Sequence, residues 1–95
     1  MGLARPVRDM HYVYVLQSEK NAMMYTGCTT DLRKRFKLHQ SGQVASTKGR
    51  GPFVLIYYEA CQDKHDAFAR EQYLKSGPGK RYVKNRLKRF LSLTG

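Results

Sequence analysis

The stretch that decides the fold, residues 11–40, reads HYVYVLQSEKNAMMYTGCTTDLRKRFKLHQ. Its first seven residues are rich in Tyr and Val, which favours a β-strand whose side chains alternate between two faces. The polar segment SEKNA predicts a reversal, and residues 24–28 predict a returning strand. Tyr14 and Tyr25 are therefore expected on adjacent strands of a hairpin. Gly27 indicates a point where the backbone bends or is closely approached.

A helix is predicted directly after this hairpin. Thr30 or Asp31 can cap its N-terminus, and SGQ ends it at about residue 40. At helical spacing, Arg35 and His39 flank the apolar stripe that faces inward.

The middle of the chain predicts a loop, a strand and a second helix. Residues 44–52, VASTKGRGP, are typical of a flexible basic loop. Residues 53–59 predict a third strand, and their nearly continuous apolar character favours a central position in the sheet. Residues 64–76 predict a helix that carries Glu71 on its inward stripe. A carboxylate in that position is costly unless it has a partner.

The sequence GPG at residues 77–79 is expected to break the chain before a final helix over residues 80–91. In that helix Val83, Leu87 and Phe90 recur at inward positions. The resulting order β-β-α-β-α-α opens with a hairpin. It predicts an α+β fold in which a small three-stranded antiparallel sheet is flanked by helices.

The length of 95 residues suits one domain. Residues 1–9 mix Pro, Gly and Arg and are expected to form a flexible lead-in. Residues 10–91 are expected to form the domain, and residues 92–95 a short tail.

The charge of the chain is strongly positive. Eighteen Lys and Arg oppose seven Asp and Glu, which gives a formal net charge of +11 and a pI near 10. Such a chain attracts polyanions, most often nucleic acid and otherwise an anionic membrane surface. No apolar stretch approaches the ~20 residues that span a bilayer, and no signal peptide is recognised, so the cytoplasm is the expected location without membrane association. Cys28 and Cys61 are too few for a disulfide framework and are expected to be free thiols.

Several common sites are excluded by their missing motifs. The sequence has no Walker phosphate loop, no GxGxxG and no HExxH, and its His and Cys residues lack zinc-site spacing. The chemistry-bearing residues that remain are expected on the inner face between sheet and helices: Tyr14, Tyr25, Arg35, His39 and Glu71.

Such a set is suited to phosphodiester hydrolysis. Glu71 can offer a carboxylate oxygen to a hard divalent cation, with water filling the other positions. The guanidinium of Arg35 stays protonated and matches the geometry of a phosphate. A tyrosine has an ordinary pKa of about 10, and a neighbouring cation or arginine is expected to lower that pKa enough for it to accept a proton from water.

Each residue also has a purely structural interpretation. Tyr14 can be a packing tyrosine of a strand. Arg35 can pair with Asp31 on the helix surface, and His39 can be a cation at the helix C-terminus. Glu71 can form a salt bridge with a nearby arginine. Composition and spacing alone leave a basic nucleic-acid-binding domain and a nuclease as alternatives.

The sequence resembles the GIY-YIG endonuclease family over about residues 10–90. The triplets YVY at 12–14 and YTG at 25–27 match the two halves of its signature. Tyr25 follows Tyr14 by eleven positions, which is the spacing that the family uses. GCTTDLRKRFKLH matches the segment with the family's arginine and histidine. AREQYLK places the family's metal-binding glutamate at Glu71, and Asn85 matches a late asparagine.

The resemblance implies a three-stranded antiparallel sheet and hydrolysis of DNA with one divalent cation, Mg²⁺ or Mn²⁺. Glu71 would bind the metal, and Tyr14 would act as general base or position the water. Tyr25 and Arg35 would hold the scissile phosphate, and His39 would share in proton transfer or contact phosphate. Further phosphate contacts are expected from basic side chains of the first helix, the 44–52 loop and the last helix: Lys34, Lys48, Arg50, Lys80, Arg81, Lys84 and Arg86.

The sequence departs from the family signature at three positions. Tyr12 and Val13 replace the glycine and isoleucine of the first triplet, and Thr26 replaces the isoleucine of the second. Larger members carry a separate DNA-binding domain, and these 95 residues are not expected to contain one. A structure-selective nuclease and a nuclease that depends on a recruiting protein are therefore both expected. A non-catalytic nucleic-acid-binding module or a subunit of a DNA repair complex is the alternative function. The choice between DNA and RNA, the oligomeric state and the pathway stay open.

Overall fold

The computed structural model describes residues 10–94, so the lead-in expected at residues 1–9 lies outside the described residues. Three strands form one antiparallel sheet in the order β2-β1-β3. They are β1 (His11–Ser18), β2 (Met24–Thr29) and β3 (Phe53–Cys61). The hairpin is confirmed, and it pairs Tyr14 with Gly27 and Leu16 with Tyr25.

The central strand is β1, so the prediction that the third strand is central is wrong. Four consecutive side chains of β1, from Val13 to Leu16, are at most 3% exposed. Most of β3 is only half-buried. The long apolar run of β3 reflects the helices that cover both faces of the sheet. Coverage of the faces does not indicate whether both edges of the strand are paired.

Within residues 10–94, four helices complete the α+β fold that the sequence predicts. They are α1 (Leu32–Gln40), α2 (Lys64–Lys75), α3 (Gly77–Arg86) and α4 (Lys88–Thr94). The carboxylate of Asp31 accepts a hydrogen bond from the backbone N–H of Lys34, which confirms Asp31 as the N-cap of α1. Among residues 10–94, no helix combines the length and the apolar character needed to cross a bilayer.

The two faces of β1 enter two separate apolar clusters. Val13 and Val15 pack with buried side chains of α2 and α3, among them Leu74 and Val83. On the opposite face, Tyr14 and its neighbours pack against α1. Alternation along one strand therefore assigns Tyr14 to the α1 side of the sheet.

The final helical region differs from the prediction. GPG does not break the chain; it forms the first turn of α3, where the Ser76 hydroxyl accepts from the N–H of Gly79. Proline is tolerated there because the N–H that it lacks would be unpaired in any helix. Gly79 lies so close to α2 that a Cβ would overlap the carbonyl oxygen of Tyr73.

The helix predicted over residues 80–91 is two helices, because Leu87 leaves helical geometry and closes α3. α4 then extends through Thr94, into the segment expected to be a tail. Val83 is buried as predicted, but Phe90 is 39% exposed, so its inward position is wrong.

The segment over residues 44–52 is more structured than the expected flexible loop. It contains a 3₁₀ turn, Ala45–Thr47, and the side chains of Val44 and Thr47 are buried. Thr47 thereby reaches the C-terminal end of α1.

Candidate active site

An open cleft of about 400 Å³ runs along the edge strand β2. It is bounded by α1 on one side and by α2 with the start of α3 on the other. All five residues expected to carry chemistry line it: Tyr14, Tyr25, Arg35, His39 and Glu71. Residues far apart in the sequence thus meet on one surface.

Gly27 is what allows Tyr14 to reach this cleft. The two residues lie directly opposite each other on β1 and β2, on the same face of the sheet. The phenol ring of Tyr14 lies over Gly27, where a Cβ would overlap the Tyr14 hydroxyl oxygen and Cζ. The expectation of a close approach at Gly27 is therefore confirmed.

The Tyr14 hydroxyl contacts two residues of α1. It lies 2.8 Å from Nε2 of His39, and it accepts a 3.4 Å hydrogen bond from Nε of Arg35. On the other side of the imidazole, Nδ1 lies 2.7 Å from Oγ1 of Thr47. Thr47 was missed by sequence reasoning, since a threonine in a basic loop carries no signal of its own.

Burial raises the pKa of Tyr14 above its ordinary value. The hydrogen bond and positive charge of Arg35 act in the opposite direction but are outweighed by the burial. Arg35 therefore has the expected direction of effect, but the expectation that the pKa of Tyr14 falls below its ordinary value is wrong for the free protein. Tyr14 is a neutral phenol at neutral pH, so its own proton must leave before it can accept another.

His39 is a buried neutral imidazole. Its side chain is 5% exposed, and burial together with the positive charge of Arg35 lowers its pKa below the ordinary value. The interpretation of His39 as a charged residue at the helix C-terminus is therefore wrong. The ring instead bridges Tyr14 and Thr47.

Arg35 faces the cleft, and among the described residues it forms no ion pair with Asp31. Asp31 is used as the helix cap instead. Arg35 donates one hydrogen bond, from Nε to Tyr14. Its remaining guanidinium N–H groups can donate to the oxygens of a phosphate.

Glu71 lies on α2 at the opposite side of the cleft, and its side chain is 14% exposed. One of its carboxylate oxygens is 3.1 Å from Nζ of Lys75, one helical turn later. The alternative of an arginine partner is wrong, because Arg70 pairs with Glu59 at 2.8 Å. A single lysine on one oxygen leaves the other oxygen available as a ligand.

The hydroxyl of Tyr25 is a buried polar group without a hydrogen-bond partner among the residues that the structure describes. Unpaired buried hydroxyls are rare and costly. Since Tyr25 lines the cleft, a bound ligand can supply the missing partner.

The donor set fits a weakly held hard cation. Residues 10–94 contain no group of three His, Cys, Asp or Glu side chains that could enclose a metal. Of the described residues that line the cleft, Glu71 alone carries a carboxylate. Mg²⁺ commonly uses one or two carboxylates, with water and substrate phosphate oxygens completing its coordination, so this donor set is sufficient only together with substrate.

Comparison with known proteins decides the family. The model of the GIY-YIG catalytic domain matches residues 10–86. The chain belongs to the GIY-YIG family. GIY-YIG domains are nuclease domains, and their substrate class is nucleic acid.

Relatives of the same small size support this GIY-YIG assignment. A UPF0213 protein of Clostridium perfringens is 46% identical over 67 residues, which cover 70% of this chain and 71% of that protein. A UPF0213 protein of Pediococcus pentosaceus is 37% identical over 90 residues, or 94% of each chain. The solution NMR structure of a UPF0213 protein from Bacillus halodurans matches with a TM-score of 0.51 and 39% identity, covering 80% of this chain and 83% of that one.

The three departures from the GIY-YIG signature have different positions in the structure, and Val13 is buried in the apolar cluster with α2 and α3. Tyr12, which replaces the first glycine, packs edge to face against Tyr58 with 6.1 Å between ring centroids. Its ring lies in a separate depression beside Arg33 and leaves the cleft open. Thr26 lines the cleft itself.

The basic residues expected to contact nucleic acid are dispersed around the GIY-YIG cleft. Of these described residues only Lys80 lines it, where Lys75 accompanies it. Lys34 and Arg35 border a neighbouring depression, and Lys84 lines a groove near α4. The other basic residues are exposed on the surface outside the cleft: Lys48, Arg50, Arg81 and Arg86. The expected site residue Asn85 is exposed there too.

The burial of His39 predicts a stability that depends on pH. The unfolded chain has a histidine pKa of about 6.5, and the folded value is lower, so the unfolded state binds more protons between the two. The contribution of neutral His39 to the free energy of unfolding is complete above about pH 6.5 and is lost as the pH falls towards the folded pKa. Urea unfolding at pH 8 and pH 5 should show a larger loss for the wild type than for His39→Gln. Equal losses would mean that His39 is not held neutral.

Proposed function

We propose that this GIY-YIG domain is a divalent-metal-dependent endonuclease that hydrolyses phosphodiester bonds in DNA. The observation that supports this most is the meeting of Tyr14, Tyr25, Arg35, His39 and Glu71 in one open cleft. The cleft offers hydrogen-bond donors for a phosphate on one side and a carboxylate on the other. A proton acceptor lies between them.

Arg35 and Tyr25 bind the scissile phosphate. The guanidinium carries a permanent charge and can donate to two phosphate oxygens. The unpaired hydroxyl of Tyr25 donates to a phosphate oxygen, which supplies the partner that this buried group lacks. Because both groups are positioned before substrate arrives, they can stabilise the negative charge that develops during hydrolysis.

Tyr14 and His39 act together on the attacking water. The proton of the Tyr14 hydroxyl passes to Nε2 of His39, 2.8 Å away, while the phenol oxygen accepts a proton from the water. The resulting hydroxide attacks phosphorus, and the bond to the leaving oxygen breaks. The positive charge then resides on the imidazole, next to the phosphate that gains negative charge.

Glu71 would hold the cation, Mg²⁺ or Mn²⁺, on the far side of the cleft. Such a cation polarises the phosphate and stabilises the departing oxygen. Lys75 compensates the charge of Glu71 in the free protein. Lys80, on the first turns of α3, binds a neighbouring backbone phosphate.

The net charge of +11 supports binding through backbone phosphates, which is sensitive to salt and tolerant of sequence. We therefore propose selection by DNA structure or weak selection by sequence, with recruitment by a partner protein as a further route to specificity. The proposed location is the cytoplasm. The alternative function is a non-catalytic nucleic-acid-binding module or a subunit of a DNA repair complex.

A cleavage assay separates these functions. Labelled single-stranded, duplex and branched DNA, together with RNA, are incubated with the protein and Mg²⁺ or Mn²⁺, and in parallel with EDTA. The nuclease produces fragments that disappear with EDTA, and the preferred substrate gives the fastest cleavage. Binding to these substrates without cleavage at any metal concentration would favour the binding module.

A further inference from the structure

We propose that Thr47 is a positioning residue, which fixes the tautomer of His39 so that the lone pair of Nε2 faces the Tyr14 hydroxyl. This inference rests on the proposed nuclease function for its catalytic consequence, but the tautomer itself can be measured without any cleavage. Thr47 does not line up with any part of the GIY-YIG signature. Thr47 is connected to the site by its hydroxyl oxygen, which lies 2.7 Å from Nδ1 of His39.

The arrangement consists of a buried ring between two hydroxyl groups. A neutral imidazole carries a proton on one nitrogen and a lone pair on the other, so one hydroxyl must donate to it and the other must accept from it. Tyr14 and Thr47 are each at most 3% exposed, so neither contact is readily replaced by solvent. Two tautomers satisfy this requirement, and they differ in which hydroxyl is the donor.

The chemistry of the two hydroxyls favours one of these tautomers. A phenol is a stronger acid than an aliphatic hydroxyl, so Tyr14 is the better donor to an imidazole nitrogen. The Tyr14 oxygen already accepts a hydrogen bond from Arg35, whose side chain can only donate. The Thr47 oxygen is the more basic of the two and therefore the better acceptor. Tyr14 accordingly donates to Nε2, and Nδ1–H donates to Thr47.

The backbone holds Thr47 in place for this contact. Thr47 closes the 3₁₀ turn, in which its N–H donates to the carbonyl of Val44 at 3.1 Å. Its own carbonyl accepts from the N–H of Arg50 at 3.0 Å. The adjacent Val44 side chain is 8% exposed, which anchors the turn against the body of the domain. The hydroxyl is therefore positioned by the fold rather than by the ligand.

Removing this hydroxyl changes what His39 presents to Tyr14. In Thr47→Val, which keeps the shape of the side chain, Nδ1–H loses its acceptor in a buried site. The tautomer with the proton on Nε2 then becomes favourable, because that proton can be donated to the Tyr14 oxygen while the Tyr14 O–H turns towards the open cleft. His39 in this form cannot accept the Tyr14 proton, so the proposed proton transfer is blocked.

The test is long-range ¹H–¹⁵N NMR of the histidine side chains in the whole chain at pH 7.5. The wild type should show His39 with the proton on Nδ1, and Thr47→Val should shift it towards the Nε2–H form. Thr47→Ser, which restores a hydroxyl, should return the wild-type pattern. Thr30→Val removes an exposed threonine hydroxyl and is the matched control. Thermal melting of each variant confirms that it is folded.

The spectra decide the proposal independently of activity. An Nε2–H tautomer in the wild type, or an unchanged tautomer in folded Thr47→Val, would overturn it. If Thr47→Val is unfolded, the wild-type spectrum still tests the tautomer, and Thr47→Ala, which also removes the hydroxyl, tests its cause. Where the wild type cleaves DNA, Thr47→Val should lower kcat about 10–100-fold with KM little changed. A wild type that does not cleave refutes the proposed function and leaves the tautomer as a separate result.

Discussion

Tyr14→Phe is expected to lower the rate of DNA cleavage by about 10²–10⁴-fold, the usual contribution of a positioned acid–base group. The substitution removes one oxygen and leaves the ring over Gly27 unchanged. It leaves the lone pair of His39 Nε2 without its donor, so a loss of about 1–3 kcal/mol of stability is also expected. Single-turnover cleavage at saturating enzyme measures the effect on chemistry apart from binding.

Tyr58→Phe is the matched control for this prediction. Tyr58 lies opposite Tyr14 on β3 but is 53% exposed and does not line the cleft. It should cleave at the wild-type rate. Folded Tyr14→Phe with full activity would exclude the Tyr14 hydroxyl from the chemistry and would transfer the role of proton acceptor to another group.

Gly27→Ala is expected to impair both stability and cleavage. The new Cβ would overlap the Tyr14 hydroxyl oxygen and Cζ, and the ring cannot move aside without breaking its contacts with His39 and Arg35. Overpacking of this kind costs about 1–3 kcal/mol. A displacement of the Tyr14 oxygen by about 1 Å can lower the rate by about 10²-fold. Chemical unfolding and the cleavage assay measure the two effects.

The same pair of residues supplies the control for this second prediction. If the overlap with Tyr14 is the cause, Gly27→Ala should have little further effect on stability in a Tyr14→Ala background. Gly77→Ala, whose Cβ would meet its nearest atom at an ordinary 3.7 Å, should leave stability nearly unchanged. A cost of Gly27→Ala that is the same in both backgrounds would mean that Tyr14 is not what requires the glycine.

Local patterns predicted most of the secondary structure correctly. The hairpin followed from alternating β-formers around a polar turn, and α1 followed from Asp31 and the apolar spacing after it. These signals are contained within one element, so they can be read without knowledge of its neighbours. The adjacency of Tyr14 and Tyr25 followed from the hairpin in the same way.

Features that depend on contacts between elements could not be predicted in this way. The apolar run of β3 reports coverage of its faces, whereas the position of the strand depends on pairing at its edges. The role of Gly79 depends on how closely α3 approaches α2. Thr47 and the raised pKa of Tyr14 both result from burial, which has no signature in a short basic loop or in an isolated tyrosine.

The candidate site shows the same division. Its residues were found by their types and, above all, by their resemblance to the GIY-YIG signature. Their partners were not: an arginine partner was expected for Glu71, whereas Lys75 at i+4 pairs with it, and the packing of α2 on the sheet assigns Arg70 to Glu59. The structure therefore adds the hydrogen-bond connections of the site, together with residues such as Thr47 and Lys75 that the sequence did not single out.

The most direct test of the nuclease assignment is the rate of metal-dependent DNA cleavage by wild type and by Glu71→Gln. Asp66→Asn, which neutralises an exposed carboxylate on the same helix, is the matched control. We expect cleavage by wild type and Asp66→Asn with Mg²⁺ or Mn²⁺, no cleavage with EDTA, and a loss of at least about 10²-fold in folded Glu71→Gln, since a metal supplies several kcal/mol of transition-state stabilisation. Cleavage by folded Glu71→Gln at the wild-type rate would contradict the assignment of this cleft as the metal-dependent active site.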